Sequence, residues 1–141
     1  MTLKNKIMKF TKSNPRKQIF PNGTKKQLFV ADCVTRAIVH ATSKTYKEVF
    51  QEITTYALHH PSCLPIHFEE VYGDYLLQLG FTKHKPKKNS KGKTYCVNKF
   101  PIEEGKKYII LTRSHLTAIV DGEHLDSWDC GSYRANSYYE I

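Results

Sequence analysis

Beyond residue 32 the apolar positions fall into a helical period three times. Val34, Ala37, Ile38 and Ala41 recur at i, i+3, i+4 and i+7, one face of a helix that opens at Cys33 with Asp32 in the N-cap place. Thr45-Tyr46-Lys47-Glu48 is a capping-box pattern, and Val49, Phe50, Ile53 and Ala57 continue that helix until Pro61 stops it. Phe68, Val71, Tyr72, Tyr75, Leu76 and Leu79 make a third helix, with Gly80 where a left-handed residue commonly ends one.

After Gly80 the period changes. Residues 94–97 are short and β-prone, residues 108–113 and 115–120 are apolar and β-branched runs, and Asp121-Gly122 is a two-residue hairpin turn returning into 123–128. Residues 133–139 read as a last, edge-like strand. Helices first and an antiparallel sheet second predict an α+β fold.

The turn also predicts a register. Pairing Val120 with Glu123 sets Thr117 opposite Asp126 and His115 opposite Trp128. Alternation then puts His115, Thr117, Asp126 and Trp128 on one face, with Leu116, Ala118, Val120 and Leu125 on the other as a core surface. His115 and Asp126 become diagonal neighbours about 7–8 Å apart at the backbone, within reach of a side-chain hydrogen bond. Cys33, at a helix start, sits where free N–H groups and the helix dipole favour a thiolate. A thiol nucleophile, an imidazole base and a carboxylate that orients it are the parts of base-assisted thiol attack. Gln27, six residues before Cys33, can share an oxyanion with the Cys33 backbone N–H, or is an exposed polar residue of a connecting segment. His124, on the face of Asp126, is a second imidazole. Arg36 and Asp129 either form a supporting ion pair or, as single pairs more often do, decorate the surface, and Cys130 is a bystander thiol or a resolving partner for an oxidised Cys33.

Composition narrows the picture. A chain of 141 residues with 40% hydrophobic content supports one core. Cys33, Cys63, Cys96 and Cys130 are widely spaced and read as reduced thiols, and no cofactor or metal is expected. A metal set drawn from His59, His60, Cys63 and His67 matches no known spacing, and a turn between helices explains it. The net charge of +9 is local: residues 1–26 carry eight Lys or Arg and no acid, and residues 83–93 carry six Lys and no acid, which leaves −5 for the rest. The chain thus divides into a basic leader, 1–26, outside the fold, and a catalytic body, 27–141. The basic runs suit solubility or an acidic partner. Nucleic acid is the secondary reading, because no interleaved aromatics accompany the loop. No stretch has the length and apolarity of a membrane span, and the lysine-interrupted N-terminus is unlike a secretory signal, so a cytoplasmic protein is expected.

The order Gln27, Cys33, His115, Asp126, with the cysteine opening a helix and the other two on adjacent strands, resembles the papain-like cysteine peptidase superfamily. The segments 32–38 (DCVTRAI), 115–122 (HLTAIVDG) and 126–131 (DSWDCG) are similar to small bacteriophage- or prophage-encoded members. The resemblance spans residues 27–139 and departs from the papain pattern at Val34 and Thr35, so it does not extend to an extended-peptide cleft. It implies a papain-like fold and thiol acyl chemistry: hydrolysis of an amide or isopeptide bond in a protein or peptide, in the host cytoplasm for a phage protein. Two other functions are open: a thiol acyltransferase, and a catalytically idle phage-type protein that binds a host factor.

Overall fold

The computed structural model describes residues 8–18 and 32–141. Gln27 lies outside them. The fold is α+β: three helices, α1 (Cys33–Ala41), α2 (Tyr46–His59) and α3 (Glu69–Gln78), pack on a six-stranded sheet. The strands are β1 (Lys9–Lys12), β2 (Thr82–His84), β3 (Lys107–Leu111), β4 (Leu116–Val120), β5 (Glu123–Asp126) and β6 (Ser137–Glu140), in the order β1-β5-β4-β3-β6-β2.

Four expectations need correction. The sheet is mixed, since β1 runs parallel to β5, with Lys9 beside Glu123 and Lys12 beside Asp126. Part of the basic leader is therefore an edge strand of the fold: its Lys/Thr alternation hid a strand that needs only one neighbour and one half-buried ring, Phe10, packed 5.1 Å from His124. The last strand is internal, because Tyr138 and Tyr139 pair with β3 on one side and with the short, lysine-bearing β2 on the other. Residues 94–97 form no sheet strand; Thr94 and Cys96 make isolated bridges, and Val97–Lys99 is a 3₁₀ turn.

Alternation along the central strands builds a core on each face. Ile109, Leu116, Ala118 and Tyr139 meet Val34, Ile38, Ile53 and Leu76 of the helices. Tyr108, Ile110, Ile119 and Tyr138 meet Val97, Phe100 and Ala135 on the other face. Lys87 caps this second core, its Nζ 5.1, 5.6 and 5.4 Å from the ring centres of Phe100, Tyr108 and Tyr138 and 3.0 Å from the Pro101 carbonyl. One lysine of the basic loop is thus committed to the fold by cation–π attraction. In α3, Gly73 is required by a close approach: a Cβ there would stand 2.5 Å from the Tyr139 hydroxyl, which donates to Glu69 at 2.7 Å. Among the described residues no helix is long and apolar enough to cross a membrane.

Candidate active site

The β4–β5 hairpin pairs Val120 with Glu123, Ile119 with His124 and Ala118 with Leu125, the register expected from the sequence. Asp121 and Gly122 both take positive φ, 52° and 75°, which a type I′ turn demands and which Gly and Asp tolerate best. The register carries Thr117 opposite Asp126. His115 precedes β4, and its backbone is fixed by Thr112, whose hydroxyl donates to the His115 carbonyl at 2.8 Å and accepts from its N–H at 3.1 Å.

Asp126 is the hub. Its Oδ2 accepts from His115 Nε2 at 2.6 Å, from Thr117 Oγ1 at 2.6 Å and from Cys130 Sγ at 3.7 Å. Its Oδ1 accepts from the Ser127 N–H at 2.6 Å and lies 3.7 Å from Arg36 Nη2. Burial alone would raise the carboxyl pKa, but the bonds from His115 and Thr117, the His115 charge and the Ser127 N–H lower it. Thr117 has one proton to give, and Asp126 takes it. The 2.8 Å contact with His124 Nε2 must therefore be a bond donated by the ring, which makes His124 an Nε2–H imidazole.

Cys33 opens α1 half-buried, against Leu116 and His115. Burial pushes its thiol up, yet the hydrogen bond to His115, a backbone bond from Leu116 and the His115 charge outweigh this and bring it below the usual 9.0. Burial acts downward on His115, and the bonds to Asp126, Cys130 and Cys33 reverse it, raising the imidazole to about 11. Since Asp126 engages Nε2, Nδ1 is the ring nitrogen left for Cys33. The shifts, thiol down and imidazole up, both favour the thiolate–imidazolium form of the pair.

Asp32 does not make the expected cap. Its side chain forms no bond to the helix N–H groups; it ion-pairs with Arg36, accepts from the Tyr46 hydroxyl at 2.9 Å and lies 3.6 Å from Arg16. The negative charge beside Cys33 is thus balanced by two guanidinium groups. Arg36 and Asp129 do not pair: Asp129 is at the surface, and Arg36 spans Asp32 and Asp126. The Asp32–Arg36 pair at i,i+4 on a helix was open to sequence reasoning; the roles of Thr112 and Thr117 depend on turn and hydroxyl geometry that spacing does not encode.

Trp128 lies with its ring 4.8 Å from His115 and 5.4 Å from Tyr133, and is 40% exposed, so it shelters the imidazole on one side and faces solvent on the other. His124 is enclosed, and burial holds its pKa down despite Asp126 and Asp129, which makes it a neutral structural ring and no base. His59, His60, Cys63 and His67 do not gather into a metal-sized group; His59 bonds the Thr55 carbonyl and His60 bonds Ser62 and Asp74. The described residues that do gather are His115, Asp126 and Cys130, with ligand atoms within 4.8 Å of one another.

Fold and site together define an α+β protein with a buried His–Asp pair beside a half-buried cysteine at a helix start. Compared with family models, with curated proteins and with solved structures, the chain matches none of them.

Proposed function

We propose that the protein is a papain-like cysteine hydrolase that cleaves an amide or isopeptide bond in a protein or peptide. The observation that carries this reading is His115, bonded through Nε2 to Asp126 and acting on Cys33 so that the thiol ionises below its usual range. Cys33 Sγ attacks the carbonyl carbon, and the oxyanion is held by the N–H groups of the first turn of α1, which lack acceptors within the helix. Gln27 joins them if the connecting segment brings it alongside. His115 gives its Nδ1 proton to the leaving amine and the C–N bond breaks. Water then attacks the thioester while His115 takes a proton, releasing the acid and the thiol. Asp126 holds the ring in the tautomer this sequence needs and stabilises the imidazolium.

An activity-based acyl electrophile is the direct test. Wild type is expected to be labelled at Cys33 with loss of turnover, and Cys33→Ala not to be labelled. Equal labelling of all four cysteines in the folded protein would contradict the assignment. Product formation that requires an added amine acceptor would move the reading to a thiol acyltransferase. Labelling without turnover of any peptide or acyl substrate would favour the idle binding protein.

A further inference from the structure

Cys130 makes and breaks no bond in the thiol mechanism, yet it is fully buried with its sulfur on polar groups: 3.4 Å from His124 Nε2 and 3.7 Å from Asp126 Oδ2. A structural thiol normally packs as a small hydrophobe. We propose that His115 Nε2, Asp126 Oδ2 and Cys130 Sγ form a zinc site whose occupancy switches off Cys33.

The ligand set of imidazole, carboxylate and thiolate suits Zn²⁺ and not the oxygen-seeking Mg²⁺ or Ca²⁺. Zinc bonds of about 2.0–2.3 Å put tetrahedral ligand atoms about 3.3–3.8 Å apart. The Cys130–Asp126 separation of 3.7 Å already fits, and the His115–Asp126 separation of 2.6 Å must open by less than an ångström, a small rotation of two side chains. The surroundings are those of a supported site. Asp126 keeps its Oδ1 for Ser127 and Arg36, Thr117 steadies Oδ2, and His124 faces the sulfur. Three protein ligands leave the fourth position to solvent. Trp128, packed on His115 and 40% exposed, is the side chain that stands between the imidazole and solvent.

The consequence for catalysis rests on the hydrolase reading; the binding does not. Zinc needs the lone pair of Nε2, so the proton there and the Cys130 thiol proton pass to solvent. The ring then holds one proton, on Nδ1, and can no longer be an imidazolium opposite a Cys33 thiolate. It is also pulled from the carboxylate that orients it.

The test uses the full chain in a Cys63→Ser background, because an exposed thiol would confound the count of bound ions and of alkylated cysteines. Zn²⁺ is titrated against a chromophoric chelator, Co²⁺ is followed by its thiolate charge-transfer band, and Cys33 alkylation is timed with and without zinc. One ion per chain is expected, with a cobalt band that persists in Cys33→Ala. Cys130→Ala is expected to weaken binding at least about tenfold, since loss of even a supporting outer partner costs that much. Zinc is expected to slow Cys33 alkylation in the background protein and not in Cys130→Ala. Should Cys130→Ala misfold, Cys130→Ser with loss of the cobalt band serves in its place. Zinc binding unchanged by Cys130→Ala, or abolished by Cys33→Ala, would overturn the site. A Cys33 that proves unreactive while zinc still binds would remove the hydrolase reading and leave the site standing.

Discussion

At the scale of single residues the account turns on how one carboxylate is used. Asp126 accepts from His115, Thr117, Ser127 and Cys130, so its replacement tests positioning directly. Asp126→Asn keeps an oxygen for Nε2–H and is expected to retain part of the Cys33 reactivity. Asp126→Ala is expected to lose about tenfold to a thousandfold in turnover, as supporting members of such triads do. Asp129→Ala is the control, because Asp129 is exposed and makes its closest ring contact, 3.9 Å, with His124 instead of His115. That Asp126 and not Asp129 meets His115 was legible in the sequence because a two-residue turn fixes the parity of every later residue on the strand. What was not legible was the fate of Asp32. An N-cap aspartate beside Cys33 looks like an opposing charge until Arg16, which stands in the basic leader, and Arg36 are seen on it.

At the scale of elements, β1 changes what the N-terminal segment is for. It pairs with β5, the strand that carries Asp126, and Ser13 N–H bonds the Asp126 carbonyl at 2.7 Å. Deleting residues 1–14 would bare the β5 edge and one side of His124. A fall in melting temperature of several degrees is expected, since each kilocalorie per mole lost moves a domain of this size by about 2–4 °C or somewhat more. A melting temperature unchanged by the deletion, read by circular dichroism, would show that β1 adds nothing to the fold. Periodicity found α1, α2, α3 and the β3–β4–β5 meander because each has a clear apolar face. It missed β1 and β2, each short and lysine-bearing, because an edge strand is specified by its neighbour more than by its own alternation. The interior position of β6 was hidden for a related reason: strand order is a property of the packed sheet.

The whole molecule answers to pH through the site and through its tyrosines. His115 keeps its proton in the fold up to about 11, above the 6.5 of an unfolded imidazole, so by itself it stabilises fully below 6.5 and loses that contribution as pH rises through about 11. Cys33 has the opposite sign. Its folded pKa lies under 9.0, so its contribution is present above 9.0 and is lost as pH falls through the lowered value. Between that lowered value and 9.0 the fold only moves a proton from sulfur to ring, and the two slopes cancel. Above 9.0 the His115 slope is left uncompensated. Burial also raises Tyr72, Tyr75, Tyr139 and Tyr46 above 10.0, so the unfolded chain ionises first there and stability falls further. Denaturant midpoints are therefore expected to level off as pH approaches 9 and to drop beyond it, by linkage. A midpoint that climbs from pH 9 to 11 would contradict both assignments.

The most direct measurement on the proposed pairing of Cys33 with His115 compares Cys33 with Cys63 in one sample. Cys63 is exposed and Cys33 half-buried, so accessibility alone makes Cys63 the faster thiol. Brief iodoacetamide treatment across pH 5 to 10, followed by mass mapping, separates accessibility from ionisation. Cys33 is expected to be alkylated first at neutral pH, with a rate that levels off below pH 9, and His115→Ala is expected to remove both features in a folded protein. A Cys33 slower than Cys63 throughout, with a rate still climbing past pH 9, would contradict the central claim that His115 and Asp126 hold Cys33 as a nucleophile.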